Sequence, residues 1–201
     1  MPARGRAQMA AACLACWRSQ SWSDTELIVV DDADCPAFPE GLAGASITYL
    51  RLDLRLTVGA KRNVACERAS GEIIVHFDSD DWYAPGRIAD QVASLKASGK
   101  AVTGYRNIRF TDGETWWLNR NWPGGYGATL CYRRDWWHRH PFPPLREGED
   151  WEFVAAAMRR GEFVARDAGD FMHATIHADN TSARVIGAGW IPCSKPDYIR
   201  S

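Results

Sequence analysis

Two short apolar runs that close in acids constrain this chain more than any other feature. ELIVVDD at 26–32 ends in Asp31 and Asp32, and EIIVHFDSDD at 72–81 ends in Asp78, Ser79, Asp80 and Asp81. A run of this length and composition suits a strand buried on both faces, with its polar residues at the carboxyl end. Helix-forming segments alternate with these runs. They are AQMAAACLACWRSQ at 7–20, VGAKRNVACERAS at 58–70 with Gly71 suited to its end, and a helix opened by Pro85 that runs to about Ser98. ITYLRL at 47–52 alternates as a strand does. This order predicts an α/β domain with a mostly parallel central sheet and helices on both faces. Ligands of such sheets bind at the carboxyl ends of the strands, which is where both acid clusters fall.

The pattern changes in the second half. AVTGYRNIRF and TWWLNR flank Asp112-Gly113, a hairpin signal. A strand is expected over 128–134 and a helix from about Glu149 to Arg160, followed by EFVAR and FMHATIH as strands. No internal repeat, low-complexity tract or linker interrupts the 201 residues, so a single domain over 1–201 is expected. A ligand-binding half would span 1–110, and a half with small antiparallel elements would span 111–201. A net charge of −1 argues against a protein held to nucleic acid through its phosphates. No stretch approaches the roughly 18 apolar residues of a membrane span.

Cys13 and Cys16 are spaced as a CxxC pair, but they lie in an Ala-rich helical run without a second pair or a nearby histidine. They read as small buried residues. Tryptophan is in excess, and Trp116, Trp117, Trp122, Trp136, Trp137 and Trp151 concentrate in the second half. They would serve either as core or as flat apolar faces for a contact with another molecule.

Four carboxylates at neighbouring strand ends repel one another unless a positive group sits among them. Lys61, Arg62 or a divalent ion would do this, and oxygen ligands on a rigid strand end suit Mg²⁺ or Mn²⁺. The plainer alternative is that these acids are solvated turn formers. Arg62 shares a helical stripe with Val58, Ala65 and Ala69, so it should face inward and need an anionic partner.

ELIVVDD, GAKRNVACERASGEIIVHFDSDDWYAP, GEDWEF and HADNTS, in this order and spacing, resemble the family 2 glycosyltransferases. The resemblance runs from about residue 2 to 182. It implies a GT-A fold and inverting transfer of a sugar from a nucleotide-diphospho-sugar, a UDP-sugar first of all, to an acceptor hydroxyl. The acceptor would be a glycan, a lipid-linked sugar or another alcohol. By the same resemblance Asp32 receives the nucleotide base and Arg62 lines the nucleotide pocket. Asp78 reaches the ribose or a metal-bound water, and Asp80 contacts a Mn²⁺ or Mg²⁺ ion. Strand alternation would point Asp78 and Asp80 to one side. Asp150 is implied as the general base, with Glu149 beside it merely complementing the helix dipole. His177 is implied near the metal, and His173, four residues earlier, would point the same way on a strand.

Family members open with an apolar strand that runs into a turn, and Met1 to Arg6 resembles the end of that strand. Pro2 and Ala3 would then form a reduced nucleotide wall beside an exposed strand edge. The QxxRW motif of processive members is absent. A haloacid dehalogenase-type phosphatase also starts from Asp-x-Asp, but Trp82 stands where it wants Thr or Val. A member that binds nucleotide or glycan without turnover is the non-enzymatic alternative. Nucleotide-sugars are made in the cytosol, so a cytoplasmic protein is expected, soluble or peripheral at the inner face of the membrane.

Overall fold

The computed structural model describes residues 1–42, 44–120, 122–182, 186–187 and 189–199. The apolar run Leu27–Asp31 forms β2, and all five of its residues are buried. Pro2–Ala3 (β1) and Ile47–Arg51 (β3) flank it, both parallel to it. The helix α1 (Ala7–Arg18) joins β1 to β2 and buries Ala10, Cys13, Leu14 and Cys16. These positions recur at helical spacing, so the CxxC pair is core. The helix α2 (Val58–Arg68) follows β3, and the Thr57 side chain caps it by accepting from the Ala60 N–H at 3.2 Å. Ile73–Val75 (β4) and Trp82–Tyr83 (β5) come next, followed by α3 (Arg87–Ser98), which ends at Gly99 in the left-handed conformation.

The second half contributes β6 (Val102–Arg106), β7 (Arg109–Thr111), β8 (Trp116–Asn119) and β9 (Cys131–Arg133). The helices α4 (Arg134–Arg139) and α5 (Glu149–Arg159) follow. The last strands are β10 (Phe163–Asp167), β11 (Met172–Thr175) and β12 (Trp190–Pro192). The second sheet runs β10-β6-β9-β4 and the third β12-β8-β7-β11-β5. The hairpin expected at Asp112-Gly113 is β7-β8, with Gly113 at φ 100°.

The parallel pairing expected of the centre holds for β1-β2-β3 and for β6-β10, but β9 runs antiparallel to both β4 and β6. The strand expected over 128–134 is shortened to β9, because Gly127–Thr129 forms a 3₁₀ turn. The α4 helix was not foreseen; it buries Trp136 and Trp137 with Phe142, Phe153 and Tyr132 in one cluster. Leu27 and Ile28 of β2 and Ile73 to Val75 of β4 line a second groove of about 800 Å³, which charged residues such as Glu26 and Lys96 also border.

Candidate active site

A cleft of about 860 Å³ opens at the carboxyl ends of the first strands. Pro2, Ala3, Arg62, Asp78, Asp80 and Asp150 all line it. Six residues proposed from the sequence thus meet on one surface.

The acid pair that closes β2 has two separate jobs. Asp31 is fully buried and accepts from the Ala37 N–H at 2.7 Å, the Tyr49 hydroxyl at 2.7 Å and the Ala33 N–H at 3.0 Å. Burial pushes its carboxyl up, but these donors and Arg51 outweigh that and hold it below the ordinary aspartate range. Asp32 accepts from Lys61 Nζ at 2.9 Å and from the Leu56 N–H at 2.9 Å. It is buried behind Lys61 and Leu56, which do line the cleft. Lys61 Nζ also donates to the Ala3 carbonyl at 3.2 Å, so Asp32, α2 and β1 form one unit. Sequence reasoning named Lys61 only as a possible counter-charge.

The second acid cluster does not sit on a strand. β4 ends at Val75, and Asp78 to Asp81 form a turn in which the Asp81 N–H reaches the Asp78 carbonyl at 3.5 Å. The turn sends the two carboxylates to different cations. Asp78 faces Arg62 at 3.5 Å, while Asp80 Oδ2 accepts from Arg6 Nη1 at 2.7 Å. Asp81 turns away to accept from the Thr175 N–H at 3.0 Å. Strand alternation is therefore not what places Asp78 and Asp80 in one cleft.

Arg62 is buried, as its helical stripe requires, and lies 3.5 Å from both Asp78 and Glu149. Burial works against its charge, but Asp78, Glu149 and Asp150 more than restore it. Its Nε and Nη1 are buried without a protein partner, two unsatisfied donors on a residue that lines the cleft. Glu149 lies in the first turn of α5, as a dipole partner would, but it also faces Arg62. It is 5% exposed, and burial pushes its carboxyl up to about 7 despite Arg62.

Asp150 lies in the first turn of α5, and its two oxygens are both held. Oδ2 accepts from the Gly127 N–H at 2.9 Å and Oδ1 from the Trp151 N–H at 2.8 Å. Gly127 is held in turn from the other side, where its carbonyl lies 2.8 Å from His76 Nδ1. A carbonyl only accepts, so Nδ1 carries the proton. Burial, aided by Arg62, keeps the His76 imidazole well below the ordinary histidine range, hence neutral. Its Nε2 must then accept from the Tyr132 hydroxyl at 2.8 Å, whose oxygen lies 3.2 Å from Cys66 Sγ. Sequence reasoning missed this chain of donors, because His76 and Tyr132 look like ordinary members of apolar strands.

His177 and His173 part company. His177 follows β11 in a turn, and its Nε2 lies 2.9 Å from Asp80 Oδ2. His173 points into the third sheet, stacked on Trp82 and edge-on to Trp116, and burial lowers it to about 4. Β-strand spacing does not carry through, because β11 ends at Thr175. The tryptophans also divide. Trp116, Trp136 and Trp137 are core, whereas Trp122 packs against Trp151 and Tyr126 beside Asp150.

The donor chemistry of Asp78, Asp80 and His177 suits Mn²⁺ or Mg²⁺. Only Asp80 and His177 meet closely, however, since Asp78 turns to Arg62. Among the described residues no three acidic, histidine or cysteine side chains gather around one point.

The profile of Glycosyl transferase family 2 matches residues 1–160. The chain belongs to that family. Its relatives include the putative glycosyltransferase EpsH of Bacillus subtilis (strain 168), 36% identical over 81 residues that make up 36% of this chain and 22% of EpsH. The putative colanic acid biosynthesis glycosyl transferase WcaA of Escherichia coli (strain K12) is 28% identical over 144 residues, 67% of this chain and 52% of WcaA. The chain thus spans about half or less of these relatives. Among solved structures, S. aureus TarS 1–349 in complex with UDP superposes with a TM-score of 0.65 at 20% identity, covering 87% of this chain and 59% of TarS 1–349. The mannosyltransferase PcManGT from Pyrobaculum calidifontis, in complex with GDP-Man and Mn²⁺, superposes with a TM-score of 0.66 at 18% identity, covering 87% and 55%. These likenesses bear out the GT-A fold expected of family 2. No helix among the described residues is long and apolar enough to cross a membrane.

Proposed function

We propose that the chain transfers a sugar from a nucleotide-diphospho-sugar, a UDP-sugar first, to an acceptor hydroxyl with inversion at the anomeric carbon. One observation carries this reading. Asp150 lines the same cleft as the Asp78–Asp81 turn, and Arg62, with two unpartnered donors, approaches both. Asp150 takes the proton of the acceptor hydroxyl as its oxygen bonds to the anomeric carbon, and the bond to the nucleoside diphosphate breaks. Arg62 offers charge to the phosphates. Pro2, Ala3 and Lys61 form the nucleotide wall, which Asp32 braces from behind. Asp80 and His177, with Asp78, are the groups that would hold Mn²⁺ or Mg²⁺, which when bound supplies positive charge to the departing diphosphate. Trp122 and Trp151 would take the apolar face of an acceptor glycan or lipid-linked sugar. A donor of cytosolic origin fits a cytoplasmic protein.

Calorimetric titration with UDP, GDP and dTDP, each with and without Mn²⁺, tests the donor site. One nucleotide is expected to bind, with help from Mn²⁺ that Asp80→Ala removes. Asp150→Asn should keep that binding and slow turnover of the matching nucleotide-sugar by about 10²–10⁴-fold. Failure of every nucleotide to bind would refute the reading. Binding by the wild type without any turnover would favour a non-catalytic member.

A further inference from the structure

We propose that Arg6 is a built-in counter-cation of this cleft, seated at Asp80 where a divalent ion would act, and that metal binds only as Arg6 leaves. The inference rests on the metal-site reading of Asp80 given above. Arg6 Nη1 donates to Asp80 Oδ2 at 2.7 Å and lies 3.2 Å from His177 Nε2 and 3.5 Å from the Asp179 carbonyl. Arg6 Nη2 reaches Ser79 Oγ at 3.5 Å. The guanidinium is thus surrounded by the groups that would ligate or flank an ion.

His177 strengthens the arrangement. The Asp179 N–H donates to His177 Nδ1 at 3.2 Å, and Nε2 lies 2.9 Å from Asp80 Oδ2, 3.0 Å from Asn180 Nδ2 and 3.2 Å from Arg6 Nη1. The carboxylate oxygen and the imidazole nitrogen are therefore both engaged by neighbouring side chains. Neither is open to a metal while this cluster is closed. The backbone aims the side chain, since Gly5 and Arg6 both adopt left-handed conformations (φ 66° and 57°) immediately before α1. Arg6 Nε is buried without a partner, so the side chain has spare capacity for an anion. A nucleoside diphosphate would offer Arg6 a replacement for Asp80. Metal and nucleotide should then help each other bind, by the same factor in both directions.

The test is Mn²⁺ binding followed by the electron paramagnetic resonance of the free ion, for the wild type, Arg6→Gln and Arg6→Lys, with and without UDP. Mn²⁺ alone should bind about tenfold tighter to Arg6→Gln than to the wild type, equal to about 1.4 kcal/mol. Arg6→Lys, which keeps the cation, should resemble the wild type. UDP should tighten Mn²⁺ binding more in the wild type than in Arg6→Gln. Equal or weaker Mn²⁺ binding by Arg6→Gln overturns the role of Arg6 and leaves the metal site standing. If no variant binds Mn²⁺ even with UDP, both the inference and the metal reading fall, while the heat of UDP binding judges the donor site separately. Thermal unfolding checks each variant, and Arg6→Met replaces Arg6→Gln if the latter does not fold.

Discussion

Tyr132→Phe isolates the hydrogen-bond chain that ends on Asp150. Tyr132 is fully buried, and its ring packs against Phe142 and Phe153, contacts that phenylalanine keeps. Only the hydroxyl is lost. His76 Nε2, 2.8 Å away, then loses its protein donor in a buried site, and the Cys66 thiol loses its acceptor. A buried acceptor left unsatisfied costs about 1–3 kcal/mol. The removed oxygen leaves almost no cavity, so no packing loss adds to this. For a domain of this size each kcal/mol lowers Tm by about 2–4 °C, so a fall of about 2–12 °C is expected. Urea unfolding followed by tryptophan fluorescence should show a lower midpoint with the slope unchanged. A loss below about 0.5 kcal/mol would refute a buried hydrogen bond between His76 and Tyr132, because its removal leaves Nε2 unsatisfied whichever group donates. A double-mutant cycle with His76→Phe should show that the two losses are not additive.

Two other outcomes follow from the same structure. The folded state depresses His76 and lowers His173 to about 4, whereas unfolded histidines titrate near 6.5. Below about pH 6.5 the unfolded chain therefore binds protons that the folded chain refuses, and each histidine removes up to about 1.4 kcal/mol of stability per pH unit. Glu149 works in the opposite sense between 4.5 and about 7, because its raised pKa favours the folded state at the acidic end. Urea titrations across that range should show stability falling on acidification, and more steeply in Glu149→Gln. Gly59→Ala should destabilise by about 3 kcal/mol or more, since a Cβ there would lie 2.0 Å from the Pro143 carbonyl oxygen; unchanged thermal unfolding would refute the close approach of α2 to that segment.

Local patterns made much of the fold readable in the chain. Apolar runs, helical stripes and the Asp112-Gly113 turn act over a few residues, so α1, α2, α3, α5, β2 and the β7-β8 hairpin could be placed from their own residues. The inward face of Arg62 followed from helical spacing alone. The same reasoning failed where an element's end decides direction. β4 stops at Val75 and β11 at Thr175, so alternation could not be extended to Asp78, Asp80 or His177. Chain direction in β9 was equally hidden, because pairing partners are distant and a three-residue strand carries no signal of orientation.

What the sequence determined by itself is the family, the acids and the cleft they would share, since these rest on residue types in a fixed order. What only the tertiary structure decided is who partners whom. Arg6 and His177 are 171 residues apart, and His76 and Gly127 are 51 apart. Neither pairing leaves a trace in local composition. Burial completed the assignment, making Glu149 a buried acid beside Arg62 and His173 a core ring. Charge and hydrogen-bonding capacity are written in the chain, but the partner that satisfies each group, and the solvent it is denied, exist only once the chain has folded.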